Sequence, residues 1–487
     1  MTHTYFHFDG FEVQADANDE ARWADLIAGS TAPTIETSIV SYGRAAVRWN
    51  LAAALASLRI YSERLGDGTW VDDATPEEGV WMSFHLYITT LPGAGQFYYL
   101  CRTGDAGVNP RAALRINGTT GFLEVFSDGA GTWQAGTVAL STATWYVVSF
   151  KSIQSTAPIG IVRNRDTGAT VDSKTHGTAL GAGTIARYIE IGPYTTSTGN
   201  CVFDNWVVES HATAANIDDP VNDLGTRYAC GLLLPTAAGF YNAWTGTFAD
   251  VDDVPHDDSA TYRSEATAND AFTQGLAPTS SLAAQVSIVK ASMHFAFLIA
   301  TGANTNCYIR LRSGGTDADG ASTTDLPTGA YTCRQLLRTT DPATSSAWTV
   351  SGVDSAEVGV VNIDNLEARC TLLGLEVLYS VGDVTRTKVV AYVMDDFDPE
   401  RRVFDARTGE ELPYEEVQPN VGWLRVTSGE MPDSSAPADA WEDETLLPID
   451  SVRFSQDAAG PSLDVIPSSE GLAEQLIRGL ANSSGSL

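Results

Sequence analysis

Short runs in which apolar and polar side chains alternate dominate the first four-fifths of the chain, and they predict strands. In residues 81–88 (Trp-Met-Ser-Phe-His-Leu-Tyr-Ile) odd and even positions separate partly into polar and apolar sets. That is the pattern of a strand with one face on a packed core. Similar runs occupy 97–102, 112–117, 122–126, 145–151, 161–164 and 188–191. Between them stand Asn117-Gly118, Ser127-Asp128-Gly129 and Asp166-Thr167-Gly168, each with a residue tolerant of positive φ at a hairpin. Many short strands with Gly-rich turns predict antiparallel sandwiches. Helical periodicity is nearly absent, with modest candidates at 19–27 and 469–480.

The pattern divides the chain. Loop composition at 211–220 suggests a boundary, and a second β block follows with predicted strands at 285–290, 293–299, 307–312, 331–338 and 368–379. The last run, with Leu372, Leu373, Leu375, Val377 and Leu378, is apolar enough to be buried on both faces. The expected organisation is a sandwich over 1–212, a linker over 213–228, a second sandwich over 229–380 and an acidic segment over 381–487. Residues 390–487 carry 20 Asp and Glu against 6 Arg. Alone this reads as a disordered acidic tail. Ordered, it would lean on a neighbouring chain, so it is read as a docking segment. The fold class expected is all-β: tandem antiparallel β-sandwich (jelly-roll) domains with a short acidic mixed C-terminal segment.

Charge narrows the function. Among 487 residues 61 are acidic and 29 basic, a net charge of −32. Phosphate backbones and anionic membranes attract the opposite balance, so neither nucleic acid nor a membrane surface is an expected partner. No apolar run reaches the roughly 18 residues of a membrane span. Residues 1–11 lack a basic region followed by an apolar stretch, so no secretion signal is expected. The six cysteines (Cys101, Cys201, Cys230, Cys307, Cys333, Cys370) stand at least 26 residues apart, which excludes CxxC spacing. Isolated core thiols are expected; a Cys201–Cys230 disulfide stays open.

The order of several segments resembles a known family. Phe8-Asp9-Gly10-Phe11-Glu12, then Ser41-Tyr42-Gly43-Arg44-Ala45-Ala46-Val47-Arg48, then Trp81-Met82-Ser83-Phe84 resemble the opening of concanavalin A-like or laminin G-like jelly rolls. Ala113-Leu114-Arg115-Ile116-Asn117-Gly118 and Trp145-Tyr146-Val147-Val148-Ser149-Phe150 resemble internal strands of that fold. Cys201-Val202-Phe203-Asp204-Asn205-Trp206-Val207-Val208 resembles its closing strand, which pairs with the first. Leu232-Leu233-Leu234-Pro235, Trp244-Thr245-Gly246 and the stretch from Val251 to Tyr262 resemble a companion domain of tailed-phage virion proteins. The resemblance spans about residues 5–380. It implies a virion structural protein of the tail tip, baseplate or fibre, assembled in the host bacterial cytoplasm. The implied partners are other copies of the chain, a trimer among the options, other virion proteins and a host-surface glycan. A head-decoration protein and a polysaccharide depolymerase are the alternatives.

Catalytic patterns are sparse. Jelly-roll glucanases carry Glu-x-Asp-x-x-Glu on one strand, and this run is absent. Asp204 and Glu209 lie five apart, which in a regular strand puts them on opposite faces. The stretch from Ser127 to Trp133 faintly resembles a sialidase Asp box but reads better as a hairpin turn. No Gly-x-Ser-x-Gly elbow, HExxH or phosphate-binding GK[ST] loop appears. The expectation is therefore a non-enzyme without a cofactor. Calcium is the one ion the loops suit by composition, with Asp252, Asp253, Asp257, Asp317 and Asp319 as candidate ligands. Tyr98, Trp133, Tyr194 and Trp244 are the candidates for stacking on a sugar ring.

Overall fold

The computed structural model describes residues 4–381, apart from 13–24, 29–32, 65–69, 72–77, 105–109, 182–187, 212–218, 255–259, 283–285, 322–325 and positions 55, 62, 196, 223, 304 and 330. Beyond 387 it describes the strand segments 388–390, 403–404, 411–412, 423–428, 443–457 and 460–467. The fold is all-β, built from antiparallel sheets, with one five-residue helix, Val350–Asp354, among the described residues. The predicted helix at 19–27 ends instead in the strand Asp25–Ala28; the one at 469–480 lies outside the described residues. No described helix is long and apolar enough to cross a membrane.

The first sandwich pairs an eight-stranded sheet with a seven-stranded one. At its centre lies Gly79–Thr90, whose even positions Val80, Met82, Phe84, Leu86 and Ile88 all enter the core. Its partner Ser197–His211 also pairs with Thr4–Asp9, so the closing strand holds the first one, as the family resemblance implies. Ser127 and Thr132 end a hairpin in which the Gly131 N–H donates to Ser127 O at 2.9 Å, with Gly131 at φ +65°, so this stretch is a turn. The second sheet runs Thr132–Ala139, Phe122–Ser127, Pro110–Asn117, Phe97–Gly104, Tyr188–Ile191, Ala56–Tyr61, Asp25–Ala28.

The second sandwich is two five-stranded sheets. The two predicted runs at 285–290 and 293–299 are one strand, Val286–Ala300, with a register shift between Val289 and Ala291. Its neighbour Ala368–Val381 is buried on both faces. Cys370, Leu373, Leu375, Val377 and Tyr379 fill the core between the two sheets, while Leu378 joins a different cluster. That cluster also takes Phe8, Val147 and Val207 from the first sandwich and Tyr228, Cys230, Ala291 and Met293 from the second. Sheets therefore follow one another in four layers, and the middle two share an apolar seam. At about 1.5–3 kcal/mol per fully buried large apolar side chain, the seam is a substantial part of the stability.

Polar groups fix the register of this seam. The Gly10 N–H donates to Glu376 Oε1 at 2.6 Å, and the Cys230 N–H to Asn205 Oδ1 at 2.6 Å. A side chain at position 10 would bring its Cβ within 2.5 Å of Cys230 O, so glycine is required by the close approach. Asn205 sits at φ +50° in a bulge between Asp204 and Val207. The bulge overturns the parity argument for Asp204 and Glu209. Phe203, Trp206 and Val208 point into the first core, so Asp204 and Glu209 share the opposite face.

All six cysteines are buried thiols. Residues Met1–Gly382 form one compact unit and Asp383–Leu487 another. In the second unit 388–390, 423–428, 443–457 and 460–467 form a four-stranded antiparallel sheet, and 403–404 pairs with 411–412.

Candidate functional site

The seven-stranded sheet turns one face to the core and the other away from it. Tyr98, Leu100, Leu114, Ile116, Leu123 and Val125 face inward. Their neighbours Phe97, Tyr99, Arg115, Glu124 and Phe126 stand on the outer face, in adjacent registers of the strands Phe97–Gly104, Pro110–Asn117 and Phe122–Ser127. The guanidinium carbon of Arg115 lies 3.5 Å from the ring centroid of Phe97 and 4.0 Å from that of Trp133. Arg115 is held there by Glu124, which accepts its Nε–H at 2.6 Å and the Asn117 amide at 2.7 Å. Tyr99 links two further rings edge-on, Trp133 at 5.7 Å and Tyr194 at 5.1 Å between centroids.

One strand along, Glu190 receives two arginines. Arg102 donates to it through Nε and Nη2 at 2.6 and 3.1 Å, and Arg59 through Nε at 2.7 Å. Tyr188 and Tyr194 cover these guanidinium groups at 4.3–5.1 Å. In this part of the face Arg59 and Arg102 pair with Glu190, and Arg115 pairs with Glu124. Arg102, Tyr188 and Glu190 are buried, whereas Phe97, Tyr99, Arg115 and Trp133 are half-buried and leave a platform of ring surface and guanidinium donors able to meet a sugar ring and its hydroxyls.

Two of the four sequence-predicted stacking residues, Trp133 and Tyr194, meet on this platform. The other two do not. Tyr98 is fully buried in the first core, where its OH donates to Trp49 O at 3.4 Å. Trp244 is buried in the second core with Nε1–H on Asp270 O at 3.1 Å. Both lie under sheets, where no sugar can reach them. Tyr99, Arg115 and Phe97 were missed. The alternation of 97–102 signals that one of the two tyrosines faces outward, but not which one.

The calcium candidates scatter. Asp317 accepts from Tyr241 OH at 2.6 Å and pairs with Arg312 at 2.5 Å; Asp319 pairs with Arg310 at 2.6 Å. Both stand on the strand Thr316–Asp319, which replaces the ion-binding loop expected there. Asp253 accepts from Thr261 Oγ1 at 2.8 Å, and burial with the charge of Asp253 raises the Asp252 pKa. Asp257 lies outside the described residues. Among the described residues no group of three or more His, Cys, Asp or Glu side chains is arranged to hold a metal ion.

A serine–histidine contact that the sequence did not reveal lies in the seam. Ser41 Oγ is 2.5 Å from His85 Nδ1 and accepts from Arg165 Nη1 at 3.0 Å. Burial, and then the Arg165 charge, holds the His85 pKa well below the usual imidazole range. Among the described residues no carboxylate orients the ring: His85 Nε2 has no hydrogen-bond partner there, and Asp204 accepts the N–H groups of Ser41 and Asn205 instead. The orienting acid of a nucleophilic triad is therefore absent from this pair.

No family model matches the chain, and no curated protein does. Solved structures similar to it include a protein of unknown function from Shewanella oneidensis MR-1, with 15% identity and a TM-score of 0.30 over 44% of this chain and 90% of that one. An endo-beta-1,4-glucuronan lyase from Trichoderma reesei shows 11% identity and a TM-score of 0.28 over 42% and 94%. A Trypanosoma rangeli sialidase shows 14% identity and a TM-score of 0.26 over 36% and 26%. These findings correct one expectation. A lyase and a sialidase stand among the similar structures, so the non-enzyme expectation, drawn from absent catalytic patterns, is withdrawn. At these scores the likenesses assign the chain no activity in its place.

Proposed function

We propose that this chain is a structural protein of a tailed-phage virion, associated with the tail, whose outer aromatic–arginine platform contributes to attachment to a host-surface glycan. The Phe97–Arg115–Trp133 stack, joined by Tyr99, is the observation that carries the glycan part. An arginine held between two rings by a carboxylate is a preorganised surface for a sugar face and its hydroxyls. The ordered series of jelly-roll segments supports the virion part. Self-association fits the same reading, since many weak sites on one particle gain avidity through effective concentration.

Electron microscopy of particles labelled with an antibody against the chain tests the virion part. Label at the tail is expected; label on the head transfers the protein to the decoration class, and unlabelled particles end the virion reading. Affinity electrophoresis in gels containing host-surface polysaccharide tests the platform. Trp133→Ala should weaken retardation about tenfold, roughly 1.4 kcal/mol. Retardation equal to wild type would remove the platform from attachment. Product release from the polysaccharide, followed in the same incubation, would add a catalytic step.

A further inference from the structure

The outer face of the fourth sheet carries a second array of rings and arginines, unrelated in sequence to the first. On the strand Cys307–Ser313, Cys307, Ile309 and Leu311 enter the second core, which leaves Tyr308, Arg310 and Arg312 on the outer face. Arg312 lies 4.1 Å from the ring centroid of Phe240 and 5.5 Å from that of Tyr241. Arg310 lies 4.9 Å from Tyr241 and 5.7 Å from Tyr308. The order is therefore ring, arginine, ring, arginine, ring. Asp317 and Asp319 on the adjacent strand pair with Arg312 and Arg310, so the two positive charges meet two negative ones.

Phe240 is 67% exposed, the most exposed large apolar side chain among the described residues. The backbone is arranged to put it there. The strand Pro235–Asn242 leaves its ladder between Ala238 and Asn242. The Phe240 N–H goes instead to Glu357 Oε2 at 2.8 Å and the Tyr241 N–H to Thr273 Oγ1 at 3.1 Å. Thr273 donates its own hydroxyl to Glu357 at 2.6 Å. Gly239 is needed for this approach: a Cβ there would stand 2.5 Å from Thr273 Oγ1. Side-chain hydrogen bonds to the backbone of Phe240 and Tyr241 thus replace the ladder and fix the Phe240 ring in its exposed position, at the end of the row of rings and arginines.

We propose that this ladder binds a linear, uncharged, polyhydroxylated glycan, as a site separate from the Trp133 platform. The exposed Phe240 ring and the half-buried Tyr241 and Tyr308 rings take the apolar faces of successive sugar units. Arginine N–H groups and the remaining lone pairs of Asp317 and Asp319 meet the hydroxyls, which both donate and accept. Matched charge gives no preference for an anionic polymer.

The test uses the full chain and a panel of linear hexasaccharides of glucose, mannose, xylose and N-acetylglucosamine, with hexagalacturonate as the acidic member, read by titration calorimetry. At least one neutral hexamer should bind to the chain carrying Trp133→Ala, in which the first platform is disabled, with Phe240→Ala and Tyr308→Ala added to it each weakening the binding about tenfold. Phe240 is exposed, so its replacement leaves the fold intact. Absence of binding across the panel overturns the proposal, as does tighter binding of hexagalacturonate. Equal affinity after Phe240→Ala is added also overturns it, as does binding by the wild-type chain that Trp133→Ala alone abolishes, which assigns the ligand to the first platform.

Discussion

His294 has no exposed surface, and neither ring nitrogen has a hydrogen-bond partner. Burial alone lowers its pKa from 6.5 to about 3. The unfolded chain takes up a proton near pH 6.5 that the folded chain refuses until about pH 3. The stability tied to this residue is therefore complete above pH 6.5 and lost as pH falls toward 3. His85 acts in the same direction. Glu12 and Asp204 act oppositely: burial raises both, so their contribution is complete at low pH and is lost as pH rises through their elevated values. In urea titrations between pH 6.5 and 3, His294→Leu should flatten the fall in stability by up to about 1.4 kcal/mol per pH unit. An unchanged slope would show that His294 is solvated. Residues also mark where sequence reading ends. The sequence of 97–102 shows an alternation but not its phase: Tyr98 and Tyr99 are chemically equal, and packing against Phe203 and Trp49 decides which is core. Asp317 and Asp319 looked like ion ligands because the partners that neutralise them, Arg312 and Arg310, come from the preceding strand of a hairpin.

At the scale of elements, regular strands were legible and irregular ones were not. The runs at 81–88 and 145–151 show their partition between faces directly, because side chains alternate without interruption. The bulge at Asn205 reverses that partition within the closing strand, and the detachment at 239–241 creates the Phe240 protrusion. Both depend on distant side chains, so nothing local announces them. The end of the first strand has the same dependence. Gly10→Ala drives a methyl group onto Cys230, whose Cβ would be 2.9 Å away. Overpacking of this kind costs about 1–3 kcal/mol, measurable as a lowered urea midpoint. A variant as stable as wild type would mean that the seam opens readily.

At the scale of the compact unit Met1–Gly382, the shared seam predicts that the two sandwiches unfold as one cooperative body. Cys101 and Cys201 lie in the first core, Cys307 and Cys370 in the second. Pulsed thiol labelling through a urea series should expose all four at one midpoint, within about 0.3 M, given the steep dependence of cooperative unfolding on denaturant. Two separated midpoints would show that the seam is weaker than either core. The link between Gly10 and Glu376 also bears on mechanics. Tension entering through the first strand reaches that tether as soon as it leaves the strand's own ladder, so load spreads into both sandwiches at once. A force on that strand would pull against a single unit that breaks in one event, where two beads on a string would yield one after the other.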